Sequence, residues 1–572
     1  MTSKNSALRL PVEILEEIFS RTTGCIKLHI PKPHSAGSYT PWDLALVCKY
    51  WRDIVFSTPR LWSNIFLQII PNGQVRHKYL ALLSAWNLCL DRSSNHPLTI
   101  RFIAGTGNEE PKSPVSLFLK PLMQHVQRWE TVTFRASLDT LLPYLSHSHY
   151  PAHYTSLRRL CINNGYDRPM EDPVGLFQNA PLLSCVSLIY LPQYGQRLGG
   201  VGIPWSQISH LNINAYLGTV DDLMDILKNT PNLVALDYAI TYNYLGNGEL
   251  PPLELPHLQK IVWTSYYHDG GDGNAPATFA FFRLLKALQL SVLEVNGTCG
   301  DRELEAIRGC LQRSRCSVKS LTLPTPCLSS LLSLTPDVET LVFGNAPTFD
   351  VNNYTSYNSF GDDALSQIEL RCLQRVVLKS DFNGADNTDD PEATSQLFGL
   401  LKAPQLSVLE VIGECGDIEL EAIRDFLQRS RCSLKSLKLS NPRLSSFLSV
   451  TPDVESLVLP SCDKEVLMSL LQKLTLDHSA SSWLCPKLKK IVLDFDIAVG
   501  PLFNAFLAML KSRLAVPHDS LVRLQCSRLK ELEFGNEVPK HMKSWVQKRL
   551  TSQESLVITY ARRVSFRLHS IS

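Results

Sequence analysis

Residues 290–323 read LSVLEVNGTCGDRELEAIRGCLQRSRCSVKSLTL, and residues 406–439 read LSVLEVIGECGDIELEAIRDFLQRSRCSLKSLKL. They belong to a longer match between residues 277–343 and 393–459, in which 48 of 67 positions are identical. A gap-free match of this length indicates a tandem duplication inside the chain. Each copy contains an apolar-x-x-apolar-x-apolar segment, then a segment with helical spacing of apolar residues, then the first pattern again.

The apolar-x-x-apolar-x-apolar unit also recurs outside the duplication. Fifteen units cover residues 129–540; starts from 183 to 258 are 25 residues apart, and later starts are 20 to 41 apart. The pattern is typical of a short strand that buries alternate residues and is followed by a helical return. One strand and one helix cannot bury their own apolar faces, so such units stack side by side. A two-layer sheet-and-helix domain is the alternative, and fifteen units argue against it.

This arrangement resembles a leucine-rich-repeat array with irregular spacing. The resemblance implies an α/β solenoid in which parallel strands line the concave face and helices and loops lie outside. The sequence departs from the family pattern because the usual Asn or Cys after the strand is mostly absent. We therefore expect an uneven solenoid.

Composition narrows the class of protein. The net charge is +2, so no overall basic field attracts nucleic acid or acidic lipid. The fifteen cysteines are scattered and lack a CxxC pair, and no apolar run reaches the length of a membrane span. We expect reduced thiols in an intracellular protein, cytoplasmic or nuclear, that binds neither nucleic acid nor membrane.

The first residues predict a short amphipathic helix. In LRLPVEILEEIFSRTTG (residues 8–24), Pro11 suits a first helical position. Ile14, Leu15, Ile18 and Phe19 then fall on one arc of the helix. Residues 40–67 supply a partner for that arc, with a helix running on from Asp43 and a third, short helix starting at Thr58-Pro59. Three helices of this size bury too little surface to be stable alone.

Three motifs in this region resemble the F-box: LPVEILEEIF at 10–19, VCKYWRDIV at 47–55 and LW at 61–62. The joint between the first helix and the segment that starts at residue 40, about 20 residues, is longer than is usual for the family. F-boxes dock on the Skp-type adaptor of a cullin-RING ubiquitin ligase, and the rest of such a protein captures a substrate. Carried over by position, the adaptor-binding residues are Leu10, Pro11, Ile14, Leu15, Ile18, Leu44, Val47, Cys48 and Trp51. The alternative is that these helices only cap the first repeat.

The motifs divide the chain into four parts. We expect an F-box at 1–70, a linker or capping region at 71–128, the repeat array at 129–540, and a C-terminal cap or tail at 541–572.

The residues between the buried positions of each strand should form a recognition surface. Early strands offer Arg, Asn and His there, and the last strand offers two glutamates. We hypothesise that a protein substrate lies along this face; the alternative is a solvated strand surface. The candidate substrate-binding residues are Arg159, Asn163, His210, Asn212, Asn214, Asp237, Lys260, Glu294, Arg375 and Glu410.

No motif favours catalysis, a cofactor or a metal. His147, His149 and His153 lie close together, but no Cys or acidic ligand is near them.

The sequence favours a substrate receptor of a ubiquitin ligase that is not itself an enzyme. The alternative is a repeat scaffold, adaptor-bound or free, that has no ligase role; the same sequence features fit this function. A small-molecule sensor would need converging basic residues at one level of the array, which the scattered Lys and Arg do not provide.

Overall fold

The computed structural model of the chain consists of two compact units. The first comprises Met1–Leu290 and Arg302–Cys316, and the second comprises Ser291–Asp301 and Ser317–Ser572. The structure describes residues 10–29, 39–69, 76–104, 115–136, 141, 144–145, 153–163, 177–189, 202–216, 220–240, 251–265, 277–297, 301–324, 331–344, 367–379, 391–413, 416–439, 444–460, 464–476, 484–494, 501–514, 527–534 and 557–560.

The helices of the described residues occupy the N-terminal region and the returns between strands. They are α1 (Val12–Thr22), α2 (Pro41–Ala45), α3 (Lys49–Ser57), α4 (Arg76–Arg92), α5 (Val115–Met123), α6 (Val220–Lys228), α7 (Ala277–Leu284), α8 (Asp301–Ser314), α9 (Pro391–Leu400), α10 (Asp417–Ser430), α11 (Leu444–Val450), α12 (Lys464–Leu474) and α13 (Pro501–Leu514). Short 3-10 turns lie at Pro59–Trp62, Val126–Arg128 and Trp205–Gln207. The helical returns that the sequence predicts between strands are confirmed, for example as α6 and α8.

The strands of the first unit form a parallel sheet in which each strand pairs with the next. They are β1 (Ile26–His29), β2 (Asn64–Ile69), β3 (Leu98–Ala104), β4 (Trp129–Arg135), β5 (Arg159–Asn163), β6 (Cys185–Ile189), β7 (His210–Tyr216), β8 (Ala235–Ile240) and β10 (Lys260–Ser265). Two further segments, β9 (Leu253–Glu254) and β11 (Leu285–Lys286), pair separately.

The strands of the second unit are also parallel and also pair in chain order. They are β12 (Val292–Gly297), β13 (Ser320–Pro324), β14 (Thr340–Gly344), β16 (Arg375–Lys379), β18 (Val408–Ile412), β19 (Ser436–Lys438), β20 (Ser456–Pro460), β21 (Lys490–Asp494), β22 (Glu531–Phe534) and β23 (Val557–Tyr560). Here β15 (Ile368–Glu369) and β17 (Leu401–Lys402) form the separate pair.

The core of the first unit is a ladder of apolar side chains, one from each strand. The register places Leu160, Val186, Leu211, Leu236 and Ile261 side by side, and each is at most 2% exposed. Because residues alternate between the two faces of a strand, the predicted apolar positions all reach the same side of the sheet. The expected α/β, solenoid-like architecture is confirmed in each unit.

A chain of backbone hydrogen bonds aligns the starts of neighbouring strands. The carbonyl of Arg158 accepts from the N–H groups of Ser184 and Cys185, both at 3.1 Å, and the carbonyl of Ser184 accepts from Ser209 at 2.9 Å and His210 at 3.0 Å. The same double acceptance recurs in the second unit, for example at the carbonyl of Lys319. Each of these strands therefore begins at the same level as the strand beside it.

The duplication is visible in tertiary contacts as well as in sequence. The hydroxyl of Ser314 accepts from the N–H of Ala287 at 2.9 Å, and that of Ser430 accepts from Ala403 at 3.0 Å. The residue after each serine, Arg315 or Arg431, adopts the left-handed conformation with φ 46° and 48°. The two copies thus end α8 and α10 in the same way.

The structure adds strands and helices to three of the predicted segments. The parallel ladder begins at β1, inside the expected F-box, and residues 71–128, expected to be a linker or capping region, contain β3 with α4 and α5. At the other end, β23 adds a strand within 541–572. These strands escaped prediction because segments such as LTIRFIA alternate strictly and lack the apolar-x-x-apolar start of the later units.

Candidate functional site

The apolar contacts between helix α1 and the rest of the N-terminal helical region come from one side of the helix. Leu15 and Phe19 are each 1% exposed, and the rings of Phe19 and Trp51 lie 4.8 Å apart between centroids. The N–H of Thr23 donates to the carbonyl of Phe19 at 2.8 Å where the helix ends. The residues that hold α1 in place are therefore half of the apolar arc that the sequence shows.

The helix expected to run on from Asp43 is broken into two. Thr40 and Asp43 form a capping box at the start of α2, with the Thr40 N–H donating to the Asp43 carboxylate at 2.7 Å. Cys48 then adopts an extended conformation, and its sulfur accepts from the N–H of Trp51 at 3.4 Å. This break leaves Leu46 and Val47 outside both helices, where they are 77% and 59% exposed.

Trp62 joins the helical region to the first sheet. It is fully buried, its indole N–H donates to the carbonyl of Val55 at 2.8 Å, and its ring lies 5.1 Å edge-on from that of Trp42. The guanidinium of Arg92, at the end of α4, lies 3.9 Å from the centroid of Phe56. Because α4 leads directly into β3, these contacts fix the helical region against the start of the array.

An exposed apolar patch remains on the helical region. Leu10, Ile14 and Ile18 recur every four residues along α1 and are 37%, 48% and 40% exposed. The hydroxyl of Tyr50 donates to the carbonyl of Leu10 at 3.3 Å, so the start of α3 lies beside the start of α1. We define the apolar patch as Leu10, Ile14, Ile18, Leu46 and Val47. Large apolar side chains exposed together mark an interaction surface.

The structure separates the predicted adaptor-binding residues into three groups. Leu10, Pro11, Ile14, Ile18 and Val47 are exposed, and Cys48 and Trp51 are half-buried. Leu15 and Leu44 are 1% and 7% exposed, and their side chains fill the helical core. Spacing along a helix cannot tell which half of a wide apolar arc faces the helix's own neighbours.

Two exposed apolar residues of this region were not among the predicted adaptor-binding residues. Val12 is 39% exposed at the start of α1, and Leu46 is the most exposed large apolar residue described in the chain, at 77%. The sequence does signal the exposure of Leu46, since this residue lies off the main arc of its predicted helix. Val12 carries no comparable signal.

The opposite, acidic side of α1 lines a cleft of about 500 Å³ in the first unit. The Thr58 hydroxyl donates to Glu16 at 3.0 Å, and Glu17 contacts Arg21 at 2.6 Å and Arg60 at 3.6 Å. The hydrogen bond from Arg21 and its charge lower the pKa of the exposed Glu17 carboxyl. These contacts attach α1 to the turn before β2, which explains the acidic side of the helix without a ligand.

The face of the first sheet opposite the buried ladder is polar and forms a second candidate surface. The register arranges its side chains in three rows across the strands, and we call these rows the open face of the first sheet. Row one is Asn64, Thr99, Thr131, Arg159, Cys185, His210, Ala235 and Lys260; row two is Lys27, Phe66, Arg101, Thr133, Cys161, Ser187, Asn212, Asp237 and Val262; row three is His29, Gln68, Ile103, Arg135, Asn163, Ile189 and Asn214.

These rows contain seven of the predicted substrate-binding residues, which are Arg159, Asn163, His210, Asn212, Asn214, Asp237 and Lys260. Arg159 and Lys260 share row one with His210, and the amide of Asn212 donates to the Asp237 carboxylate in row two at 3.0 Å. Sequence reasoning missed Lys27 and Arg101, because β1 and β3 were not recognised as strands.

The other three predicted residues lie in the second unit, where several of the charges are paired. Arg375 and Glu410 contact each other at 2.8 Å across β16 and β18. Glu294, on β12, accepts from the side-chain amide of Asn296 at 3.1 Å. On β21, Lys490 contacts both Glu531 at 3.5 Å and Glu533 at 2.8 Å, and these contacts raise the pKa of its ammonium group. The predicted substrate surface therefore falls on two units with different charge patterns.

Neither a metal site nor a membrane span is found in the part of the chain that the structure describes. No group of three His, Cys, Asp or Glu side chains there could hold a metal ion. Of the three clustered histidines, His153 is exposed, whereas His147 and His149 lie outside the described residues. No helix among the described segments is long and apolar enough to cross a bilayer.

Comparison with known protein families identifies the helical region. Residues 7–68 match the F-box-like family, so the chain contains an F-box-like domain at its start. The match includes the apolar patch and the aromatic contacts that hold α1 and α3 together. A comparison of the whole sequence with curated proteins finds no match.

Proposed function

We propose that the F-box-like domain docks on a Skp-type adaptor through its apolar patch and that the repeat array holds a protein substrate. The chain then acts as the substrate-recognition subunit of a Skp–cullin–F-box ubiquitin ligase. F-box-like domains are typical of receptors that carry no catalytic activity of their own, and ubiquitin transfer falls to other subunits.

One observation supports the proposal best: the division of apolar residues on α1. Leu15 and Phe19 are buried within the domain, yet Ile14 and Ile18, on the adjacent side of the same helix, are 48% and 40% exposed. A helix that only capped the first repeat would turn these residues toward the array. Complete burial of a fully exposed Ile or Val contributes about 1.5 to 3 kcal/mol, so each of these half-exposed residues contributes less and several must be buried together.

The test is co-expression of the full chain with a Skp adaptor, followed by size-exclusion chromatography. We expect one-to-one co-elution for the native chain and its loss in the double variant Ile14→Asp, Val47→Asp. The matched control is Leu80→Asp, Leu117→Asp, which makes the same chemical change at residues 59% and 48% exposed on α4 and α5. Equal loss of co-elution in both double variants would contradict the assignment of the apolar patch.

A second step separates a ligase receptor from a scaffold that merely binds the adaptor. The adaptor complex is mixed with a cullin-RING core, ubiquitin and the activating and conjugating enzymes. A receptor becomes ubiquitinated in this mixture, as does any bound substrate. Co-elution with the adaptor but no ubiquitin transfer would favour the scaffold.

A further inference from the structure

The open face of the first sheet carries five exposed cations: Lys27, Arg101, Arg135, Arg159 and Lys260. None of the five forms an ion pair with another described residue. The rows of this face contain one carboxylate, Asp237, and it accepts a hydrogen bond from Asn212. A charge excess therefore exists on this face although the whole chain has a net charge of only +2.

The cations are close enough together to act on one extended ligand. Arg101, Arg135 and Arg159 lie on the consecutive strands β3, β4 and β5. Arg159 and Lys260 share row one and are separated by four strand-to-strand steps, or about 19 Å at ~4.8 Å per step. An extended peptide advances about 3.3 Å per residue, so roughly six residues span that distance.

The second unit provides an internal comparison. Two of its basic strand residues, Arg375 and Lys490, are each held by glutamates, at 2.8 Å in their closest contacts, whereas Lys379 and Lys438 form no ion pair with a described residue. A cation that is already paired has less to gain from a partner's carboxylate. The unpaired cations of the first unit attract an anionic partner, and the attraction is stronger because several like charges act on one surface.

We propose that the open face of the first sheet binds an extended, acidic segment of the substrate protein, rich in Asp and Glu. Asn214, a polar residue of row three on the same face, offers hydrogen bonds to the segment's backbone. This inference rests on the proposed function, since it names the class of substrate that the receptor holds. Lys27 and Arg101 become substrate-binding residues in addition to Arg159 and Lys260.

The test measures binding of a fluorescein-labelled peptide to the full chain by anisotropy. The probe alternates glutamate with serine over about twelve residues, long enough to cross the face. We expect binding that weakens with added salt, since salt screens exposed charges. A peptide with glutamine in place of glutamate should not bind. Binding of both peptides with equal affinity would overturn the proposal.

Two charge-reversal variants locate the site. The double variant Arg101→Glu, Arg159→Glu should lower the affinity for the glutamate peptide about tenfold, because two attractions become repulsions. Lys120→Glu with Arg308→Glu applies the same charge change to exposed helix positions of the first unit and should leave affinity unchanged. Equal weakening in both variants would mean that only net charge matters and would refute the site.

Two further measurements use a single-stranded DNA ligand and the Skp adaptor. A single-stranded DNA of matching charge that binds more tightly than the glutamate peptide would identify a nucleic-acid surface instead, and the proposal would be rejected. Adaptor co-elution is measured separately and should survive the Arg101, Arg159 variant. If the native chain binds the peptide but not the adaptor, the proposed ligase role fails while this inference stands. If it binds the adaptor but not the peptide, only the inference fails.

Discussion

Trp51 and Phe19 pack together with their ring centroids 4.8 Å apart, and this contact joins α3 to α1. Phe19 is buried, whereas Trp51 is half-buried, so the indole covers Phe19 with one side and faces outward with the other. Trp51 therefore has a structural role in addition to the predicted contact with an adaptor.

Replacing Trp51 by Ala tests the structural role. The change exposes Phe19, and we expect α1 to lose about 2 kcal/mol of stability, less than a fully buried aromatic residue would cost. Hydrogen exchange of the α1 amides measures the loss directly. Unchanged protection of α1 combined with lost adaptor binding would show that Trp51 serves only as a contact residue.

Neighbouring residues Ile14 and Leu15 should behave in opposite ways. Ile14→Asp changes an exposed residue, so we expect stability to change by less than about 0.5 kcal/mol while adaptor co-elution is lost. Leu15→Ala empties a buried position and should destabilise the domain by about 2 to 5 kcal/mol. Co-elution together with hydrogen exchange separates the two effects. If Ile14→Asp destabilised the domain and Leu15→Ala only abolished co-elution, the assignment of Leu15 to the core and Ile14 to the interface would be wrong.

The duplicated serines Ser314 and Ser430 provide a matched pair of variants. Each accepts a hydrogen bond from a buried backbone N–H, of Ala287 at 2.9 Å and of Ala403 at 3.0 Å. Ser→Ala at either site leaves that N–H without its partner and should cost about 1 to 3 kcal/mol. Hydrogen exchange in the strands next to each site reports the loss, with exposed Ser317→Ala as the control. Costs that differ by more than about 2 kcal/mol between copies would show that the two sites are not equivalent.

Arg513 should be intolerant of substitution, even by Lys. It is completely buried, and its guanidinium donates to the carbonyls of Leu474 at 2.9 Å, Cys485 at 3.0 Å and Leu484 at 2.7 Å. The planar fork reaches three acceptors in fixed directions, which a flexible ammonium group cannot do. We expect both Arg513→Met and Arg513→Lys to destabilise α13 and β21 by about 3 to 5 kcal/mol. Rescue by Lys, measured by hydrogen exchange, would mean that charge alone is sufficient.

Buried thiols should resist alkylation until the protein unfolds. Burial raises the pKa of Cys89 and Cys485 to about 12, and that of Cys310 to about 11. Only the thiolate reacts, and it forms as pH rises toward the pKa, so these three should stay unlabelled by iodoacetamide near pH 8. Mass spectrometry before and after denaturation measures the difference, with half-buried Cys48 as the comparison. Labelling of Cys485 as fast as Cys48 in the folded chain would contradict the predicted burial.

The repeat architecture could be predicted because its rule is local. A strand that buries alternate residues needs its apolar side chains in a fixed order, and Leu160 and Ile162 occupy the expected buried positions. The helix α8 and its copy α10 follow from apolar spacing in the same way. The strands β1, β2 and β3 were missed, because a short alternating segment without the repeat's own start resembles many non-repeat segments.

The F-box motifs were also visible in the sequence, and comparison confirms an F-box-like domain at residues 7–68. The exposure of individual residues was less predictable. Ile14 and Leu15 are neighbours on one apolar arc, and only the positions of α3 and the turn at Pro59–Trp62 decide that Leu15 is buried. The break at Cys48, which exposes Leu46 and Val47, depends on the sulfur that caps α3.

The sequence by itself determined the repeating unit, the duplication and the motifs of the N-terminal helices, since each depends on spacing within a few residues of chain. The tertiary structure alone decided which apolar residues remain exposed on α1 and which charges find partners. Arg375 and Glu410 are 35 residues apart and meet only because β16 and β18 pair in one register. Arg101 and Arg159 share a face, and neither forms an ion pair with a described residue, for the same reason: strand register brings distant residues together, and no local pattern encodes it.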